Sequence, residues 1–360
     1  MIDGALSPAR RILRGAIVGY GFIAENGHVP AYVLPGATDF RIVAVADSCA
    51  ARRAKAKRDL PDARIYASHE ELLAREREAI DFVDVCTPPS AHAPIARAAL
   101  SNGLHVLCEK PLATSVMDAR GMIARAAEAR RVLFPSHNYK HAPVIQAVRR
   151  RLDANLIGPV KLVTLHTFRT AHARGVESWR PDWRRERRFA GGGIAMDHGS
   201  HTLYLAFDWL GAYPTAVTAK ATTLGEFDTE DNFSCALTFP GATATAHLSW
   251  TAGVRKVIYT IHAEHGAIRV EDDDVEVAVK VTQNAKAAWE VQRERIASDW
   301  MDASHVGWFR VLFQQFASAI ANHDFVGRDT VAGLRTVEVI EAAYASAIDR
   351  SRERSLHDEP

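Results

Sequence analysis

The stretch ILRGAIVGYGFIA (residues 12–24) joins a short apolar run, ending in glycine, directly to a segment with apolar residues at helical spacing. The apolar run predicts a strand over residues 12–19. The segment after it predicts a helix over residues 22–34, which Pro35-Gly36 ends. A strand that turns at once into a helix is typical of parallel sheets covered by helices.

The turn within this stretch has the pattern G-x-G-x-x-A, formed by Gly19, Gly21 and Ala24 with Phe22 and Ile23 between them. Gly19 permits a tight turn, Gly21 lets the backbone approach a pyrophosphate, and Ala24 lets the helix pack closely on the strand. The helix N-terminus offers free N–H groups and the positive end of its dipole to phosphates. These five residues therefore predict a dinucleotide-binding site.

The next apolar run, residues 41–46, is followed directly by the carboxylate residue Asp47. At this position a carboxylate accepts hydrogen bonds from the adenosine ribose hydroxyls and repels a 2′-phosphate, so NAD is favoured over NADP. Arg52 and Arg53 lie one turn further on and would suit NADP if they reach the ribose. The alternative is that both arginines lie on a solvated helix face.

Strands and helices alternate through the first part of the chain. Further apolar runs predict strands at residues 41–46, 65–66, 82–86, 104–108 and 132–134. Segments of helical spacing predict helices at residues 49–59, 69–76, 92–102 and 115–130. This alternation favours a doubly wound parallel sheet with both faces covered. We expect residues 1–137 to form this dinucleotide-binding domain.

The pattern changes after residue 137. Apolar alternation predicts strands at residues 160–169, 214–223, 231–239, 242–250, 256–263 and 266–271, with tight turns at Pro240-Gly241 and His265-Gly266. Strands joined by tight turns indicate an antiparallel sheet. Two periodic segments, 304–322 and 329–348, predict C-terminal helices. We expect residues 138–360 to form a second α/β domain for substrate binding and oligomerisation, with these helices packing back on the first domain.

Composition excludes several classes of protein. The 360 residues include 44 basic and 43 acidic side chains, a net charge of +1, so no overall field attracts nucleic acid or an anionic membrane. No apolar stretch approaches the roughly 20 residues of a membrane helix, and the N-terminus lacks the apolar region of a secretory signal. The four cysteines form no C-x-x-C pair. We therefore expect a cytoplasmic protein without a metal site.

Three further motifs occur in order along the chain: DVCTPPSAH (residues 84–92), HVLCEKPL (residues 105–112) and GGGIAMDHGSH (residues 191–201). Together with the glycine turn, they resemble the glucose–fructose oxidoreductase / inositol dehydrogenase / rhizopine catabolism (Gfo/Idh/MocA) family. The resemblance implies an N-terminal Rossmann domain and a C-terminal α/β domain. It also implies that the C-terminal sheet is large, open and mainly antiparallel, and often forms an oligomer interface.

The same resemblance assigns roles to particular residues. It implies that Lys110 and His201 flank a nicotinamide, that Asp197 assists them, and that the Lys110–Pro111 peptide is cis. It further implies that the cofactor is bordered by Thr87, Pro88, His92 and Glu109. The alternative for the first three is that Pro88-Pro89 only ends a strand and that the polar residues only begin the next helix.

The chemistry of a hydride transfer agrees with these roles. Removal of hydride from a carbinol carbon requires loss of the hydroxyl proton, so a base must contact that oxygen. Asp197 and His201 are four residues apart, which places them on one face of a helix that begins near residue 197. We expect His201 to be the base, Asp197 to orient it, and Lys110 to polarise the substrate oxygen. The reverse assignment, with Lys110 as the base, stays open.

Four residues are candidates for substrate binding. Asn138 and Lys140 follow the last strand of the first domain; the family commonly carries arginine near the second position, so Lys140 is a departure. Trp183 either stacks on a sugar or anchors its loop. Arg184 either clamps an anionic substrate group or pairs with neighbouring acids.

These observations predict an NAD(P)-dependent oxidoreductase that acts on a carbinol carbon of a sugar, cyclitol or sugar derivative. One alternative is an NAD-dependent glycosidase or dehydratase on the same fold, in which the hydride is taken and returned. Another is a non-catalytic regulator that only senses a nucleotide. Because an open sheet leaves strand faces that need cover, we expect a homodimer or homotetramer.

Overall fold

The computed structural model describes residues 11–34, 40–283, 286–298, 300 and 302–356. Its strands are β1 (Leu13–Val18), β2 (Phe40–Ala46), β3 (Arg64–Tyr66), β4 (Phe82–Val85), β5 (His105–Cys108), β6 (Leu133–Pro135), β7 (Val160–Phe168), β8 (Ala216–Thr222), β9 (Asn232–Phe239), β10 (Ala242–Ser249), β11 (Lys256–Ala263), β12 (Gly266–Glu271), β13 (Asp274–Gln283), β14 (Lys286–Arg295) and β15 (Arg354–Ser355). Its α-helices are α1 (Val29–Val33), α2 (Ala50–Asp59), α3 (His69–Glu76), α4 (His92–Ser101), α5 (Val116–Ala129), α6 (Pro143–Asp153), α7 (Arg187–Ala190), α8 (Ser200–Leu210), α9 (Val306–Ala321) and α10 (Arg328–Ile348).

Two of these helices begin with a wider turn. A π-helical turn, Ala24–His28, leads into α1, and another, Ala195–Gly199, leads into α8. Such turns are rare and occur frequently at functional sites. None of the helices in the described ranges is long and apolar enough to cross a bilayer. The predicted helix stop at Pro35-Gly36 and the N-terminal residues 1–10 lie outside the described residues.

The first sheet has the order β3-β2-β1-β4-β5-β6, with parallel neighbours throughout. Its central strands are buried on both faces, because helices cover the sheet on either side; Ala16 and Ile17 of β1 are fully buried. Burying one such aliphatic side chain contributes roughly 1.5–3 kcal/mol. This strand order confirms the predicted doubly wound Rossmann sheet.

The order reverses between β1 and β4, which are direct neighbours although β2 and β3 separate them in the chain. In open parallel sheets a crevice forms at this point, outside the carboxyl ends of the strands. Gly19 follows β1, Asp47 follows β2 and Lys110 lies just beyond β5. The fold therefore brings three of the predicted site residues to one edge.

The second sheet has the order β14-β13-β12-β11-β7-β10-β9-β8-β15. All neighbours are antiparallel except β7 and β10, which are parallel, so the predicted open, mainly antiparallel sheet is confirmed. Helices α8 and α10 pack on one face and bury a continuous apolar core.

The sequence interpretation missed three strands, β13, β14 and β15, and two helices, α6 and α7, of this half. The hairpin of β13 and β14 begins within the acidic run Asp272–Asp274. Acidic residues are unfavourable in strands, so the run suggested that the sheet ended there. Alternating Val275 and Val277 are buried and were the available signal. Helix α6 begins with Pro143 at its first position, a favourable helix start that the interpretation did not use.

The two C-terminal helices contact the parallel sheet. Phe309, Phe313 and Phe316 of α9 belong to the apolar cluster on one face of that sheet. Thr330 at the start of α10 donates a hydrogen bond to the carbonyl of Leu133 in β6. These contacts tie the C-terminal helices to the N-terminal half of the chain.

Candidate active site

A pocket of about 720 Å³ is lined at one end by the carboxyl ends of β1, β2 and β4, and further along by residues that follow β7 and β10. The predicted site residues that line it are Gly19, Gly21, Phe22, Ile23, Asp47, Thr87, Pro88, Glu109, Lys110, Asn138, Trp183, Arg184, Asp197 and His201. Residues from four separate sequence motifs thus share one pocket, as a single active site requires.

The glycine turn leaves room for a phosphate-bearing ligand. Gly19 has φ +92°, and a Cβ there would lie 2.9 Å from the main chain of Cys86. A Cβ on Gly21 would meet no protein atom within 4 Å, and Gly21 lines the pocket. The first glycine is therefore required by the fold, whereas the second leaves space where a dinucleotide pyrophosphate approaches the backbone.

The carboxylate of Asp47 is fixed at the same end of the pocket. Its oxygens accept hydrogen bonds from the backbone N–H groups of Tyr20 and Cys49, each at 2.7 Å. Arg52 donates to the carbonyl of Tyr20 and pairs with Glu25, although it also lines the pocket. A carboxylate held in this way suits the ribose hydroxyls of NAD.

Arg53, the other candidate for binding a 2′-phosphate, donates to the main-chain carbonyls of Asp47 and Ser48. It therefore braces the loop that carries Asp47. These bonds favour the structural alternative for this arginine.

Asp197 and Lys110 form the polar centre of the pocket. Lys110 Nζ lies 2.9 Å from Asp197 Oδ1 and 3.0 Å from its main-chain oxygen. Arg184 Nε and His198 Nδ1 lie 3.4 Å and 3.3 Å from Oδ2. Burial alone would raise the pKa of the Asp197 carboxyl, but Lys110 and Arg184 hold that pKa well below its usual range. Asp197 is consequently an anion shared by several cationic or polar donors.

His201 lies in the same wall, stacked on Tyr139 with ring centroids 3.9 Å apart. Burial lowers the pKa of His201 well below its ordinary value, and the positive charge of Lys110 lowers it further. Its Nδ1 is buried and has no hydrogen-bond partner among the described residues. A neutral imidazole in this position is able to accept a proton.

The expected orienting contact between Asp197 and His201 is not formed. Within the described part of the chain, Asp197 accepts a hydrogen bond from Lys110 and lies within 3.4 Å of Arg184 and His198 instead. The expectation assumed α-helical spacing, whereas a π-helical turn over Ala195–Gly199 precedes α8. The carboxylate therefore orients the lysine, and the ring of His201 is held by stacking on Tyr139.

A carboxylate buried beside the glycine run fixes the turn that carries Asp197. Glu230 accepts hydrogen bonds from the N–H groups of Gly193 at 2.8 Å and Ala195 at 3.0 Å. Tyr344 donates its hydroxyl to the same carboxylate at 2.8 Å. A Cβ on Gly193 would lie 2.0 Å from the main-chain oxygen of Glu230, so only glycine fits there.

Two predicted cofactor residues lie behind the pocket wall. Ala24 is fully buried, which agrees with its packing role in the motif. His92 is also fully buried, and its ring nitrogens lie 2.8 Å from the carbonyl oxygens of Pro111 and Thr87. It therefore holds the two backbone segments that line the pocket. The Lys110–Pro111 peptide is cis, as the resemblance implied.

Three of the four candidate substrate residues line the pocket and one lies outside it. Asn138, Trp183 and Arg184 line the pocket, and the Arg184 guanidinium lies 4.3 Å from the ring centre of Trp183. Lys140 instead forms an ion pair with Asp329 outside this pocket, so the structure does not bring it together with the other three candidates. The partner that attracts it belongs to α10, almost 200 residues away, and sequence spacing gave no sign of that pairing.

The sequence interpretation also missed a buried polar cluster beneath Glu109. His28 Nδ1 lies 2.7 Å from Asp84, and its Nε2 lies 3.0 Å from Glu109. Tyr32 donates its hydroxyl to Asp84 at 3.0 Å. Burial opposes a charge on His28, but the Asp84 carboxylate raises the pKa of the ring well above its ordinary value. An imidazolium therefore balances the buried acids and holds Glu109 next to Lys110.

Two family models match successive parts of the chain. Residues 13–137 match the model of the oxidoreductase family with an NAD-binding Rossmann fold. Residues 145–269 match the GFO/IDH/MocA C-terminal domain. The chain belongs to the GFO/IDH/MocA oxidoreductase family. As a member of this family it is an NAD-binding enzyme.

Individual relatives align over most of the chain. A D-apiose dehydrogenase from Paraburkholderia graminis is 26% identical over 355 residues, 93% of this chain and 87% of that protein. A 1,5-anhydro-D-fructose reductase from Ensifer adhaerens is 29% identical over 71% of this chain and 74% of that protein. The crystal structure of GenD2 from gentamicin A biosynthesis, in complex with NAD, superposes with a TM-score of 0.80 at 26% identity, covering 98% and 99% of the two chains.

Substitution of Gly193 tests the account of the glycine run. Gly193→Ala places a methyl group against the main-chain oxygen of Glu230, so either the glycine run or the segment before β9 that carries Glu230 must move. We expect the free energy of unfolding, measured by urea denaturation, to fall by roughly 1–3 kcal/mol. Gly307→Ala is the control, because a Cβ there meets no atom within 4 Å. Equal stability of the two variants would contradict this packing.

Substitution of Asp47 tests cofactor choice. Asp47→Ala removes the carboxylate that we expect to bind the adenosine ribose, so the dissociation constant of NAD should rise by about 10- to 100-fold, as for loss of a charged hydrogen bond. The constant for NADP should rise less, because the repulsion of its 2′-phosphate is removed as well. Both constants are measured by calorimetry, with the exposed Asp62→Ala as control. An equal loss for both nucleotides would show that Asp47 does not contact the ribose.

Proposed function

We propose that this enzyme uses NAD to oxidise or reduce a carbinol carbon of a sugar, a cyclitol or a derivative of one. The observation that carries the proposal is the Lys110–Asp197 pair in one pocket with neutral His201 and the glycine turn. The D-apiose dehydrogenase and the 1,5-anhydro-D-fructose reductase described above both act on sugars according to their names, which supports this substrate class.

The residues of the pocket divide between cofactor and substrate. Gly19, Gly21 and Asp47 hold the phosphates and ribose of NAD, and Thr87 and Pro88 border the cofactor further along the pocket. Bound NAD supplies the acceptor for the hydride that leaves the carbinol carbon.

Proton transfer is the part of the reaction that the chain's own side chains perform. Lys110, fixed by Asp197, donates a hydrogen bond to the substrate oxygen and stabilises the alkoxide as it develops. His201 accepts the hydroxyl proton, because its ring is neutral. In the direction of reduction the same proton returns to the oxygen. The positive charge of Lys110 beside the oxygen favours loss of the proton.

We also propose that the chain forms a homodimer or homotetramer through the second sheet and acts in the cytoplasm. Trp289 and Val291 of β14 are apolar and more than two-fifths exposed, as expected for a face that another subunit covers. All four cysteines are free thiols, which suits a reducing compartment.

Replacement of the two proton-handling residues tests the proposed function. Lys110→Ala and His201→Ala should each lower kcat by about 10²- to 10⁴-fold, the range for acid–base groups, while NAD binding is largely retained. Formation of NADH is followed with a panel of aldoses and cyclitols. The exposed Lys220→Ala and His262→Ala are the matched controls. Full turnover in both active-site variants would refute the assignment.

The pH profile separates the two possible bases. Because the pKa of His201 lies well below 6.5, kcat/KM of the wild-type enzyme should stay constant as the pH falls through 6.5 and decline only at lower pH, where the ring becomes protonated. That acidic decline should vanish in the residual activity of His201→Ala. If it persists unchanged, His201 is not the base and Lys110 takes that role.

A further inference from the structure

Arg169 is a buried cation in the substrate half of the pocket. It follows β7 directly, is 9% exposed and lines the pocket. Its Nη1 donates to the main-chain carbonyls of Phe168 at 2.8 Å and Lys256 at 3.4 Å. In the part of the chain that the structure describes, no carboxylate pairs with this guanidinium and no other of its nitrogens has a protein partner. A buried charge left in this state is costly unless a ligand compensates it.

The carboxylates near this region are already engaged. Asp197 is shared by Lys110 and Arg184. Asp272 pairs with Lys256, and Asp302 accepts hydrogen bonds from Ser304. None of these acids is left to neutralise Arg169.

A second arginine strengthens the positive potential. Arg255 lines the same pocket, and its Nη2 donates to the carbonyl of Trp300 at 2.7 Å. Burial lowers the pKa of Arg255, and the charge of Arg169 lowers it further, as expected for two neighbouring cations. The pKa of His305 falls to about 4, chiefly through burial, with Arg255 and Arg169 also lowering it. The histidine therefore adds no charge of its own near neutral pH.

The cofactor does not account for this charge. The phosphates of a dinucleotide belong at the glycine turn after β1, whereas Arg169 and Arg255 flank the ends of β7 and β11 in the second sheet. Both arginines share the pocket with Lys110 and His201. An anion bound there would be part of the substrate.

We propose that the substrate is an anionic sugar, whose carboxylate or phosphate binds Arg169 while its carbinol carbon faces Lys110 and His201. This inference rests on the proposed oxidoreductase function and narrows it. A guanidinium presents parallel N–H groups that match the two oxygens of such an anion. Arg169 therefore determines specificity and does not take part in the transfer of the proton.

The experiment compares matched substrates with the NAD-loaded enzyme. D-Gluconate, D-glucuronate and D-glucose 6-phosphate are each compared with D-glucose, both by calorimetric binding and by kcat/KM. We expect at least one anion to bind and to be turned over at least 10-fold better than D-glucose. Comparison of the two carboxylates with the phosphate ester shows which anionic group of the substrate Arg169 binds.

Variants of Arg169 test whether this side chain recognises the anion. Arg169→Gln should raise KM for the anionic substrate by about 10- to 100-fold, as for loss of a charge-assisted hydrogen bond, with a much smaller change in kcat. The change in KM for D-glucose should be at least about 10-fold smaller. Arg169→Lys retains the charge and should restore part of the affinity. The control is Arg174→Gln, since Arg174 lines the pocket but pairs with Glu177 and Asp182.

Two results would overturn the inference. One is failure of every anion to bind the NAD-loaded enzyme more tightly than D-glucose. The other is an equal effect of Arg169→Gln on charged and neutral substrates. Either result leaves the proposed oxidoreductase function standing, because that function fails only if no sugar or cyclitol is oxidised or reduced.

Discussion

The contact between Lys110 and Asp197 connects the two halves of the catalytic pocket. The lysine extends from the end of β5 in the parallel sheet, and the aspartate lies in the π-helical turn before α8, which packs on the second sheet. Neither half contains a complete site. Because the pair is mostly buried, removal of Asp197 would leave the charge of Lys110 without its carboxylate partner in the pocket. The interaction thus joins the two halves of the site, alongside the contacts of α9 and α10 with the parallel sheet.

The electrostatics around this pair follow one pattern. Each buried carboxylate near the pocket has a cation or several donors: His28 holds Asp84 and Glu109, and the glycine run with Tyr344 satisfies Glu230. Arg169 is an exception among the buried charges lining the pocket, since its protein partners are main-chain carbonyls. A buried cation without a carboxylate partner does not stabilise the fold, so its presence in a binding pocket is better explained by binding of an anionic ligand.

Features that depend on neighbouring residues could be predicted from the sequence. The glycine turn and the doubly wound parallel sheet of the first half follow from local patterns with clear physical requirements, whereas the meeting of Lys110, Asp197 and His201 was implied by the resemblance of their motifs to the family. The His28 cluster and the Arg169 subsite join residues dozens of positions apart and depend on how the chain packs. Asp197 contacts Lys110 and not the expected His201, because a π-helical turn precedes α8. The residue spacing in the sequence does not reveal such a turn.

A crystal structure of the enzyme with bound NAD would show directly where the nicotinamide ring and the pyrophosphate lie in the pocket. We expect the pyrophosphate to contact the backbone at Gly21 and the nicotinamide ring to lie against the pocket wall formed by Lys110 and His201. A nicotinamide bound away from those two side chains, or a pyrophosphate remote from the glycine turn, would contradict this expectation.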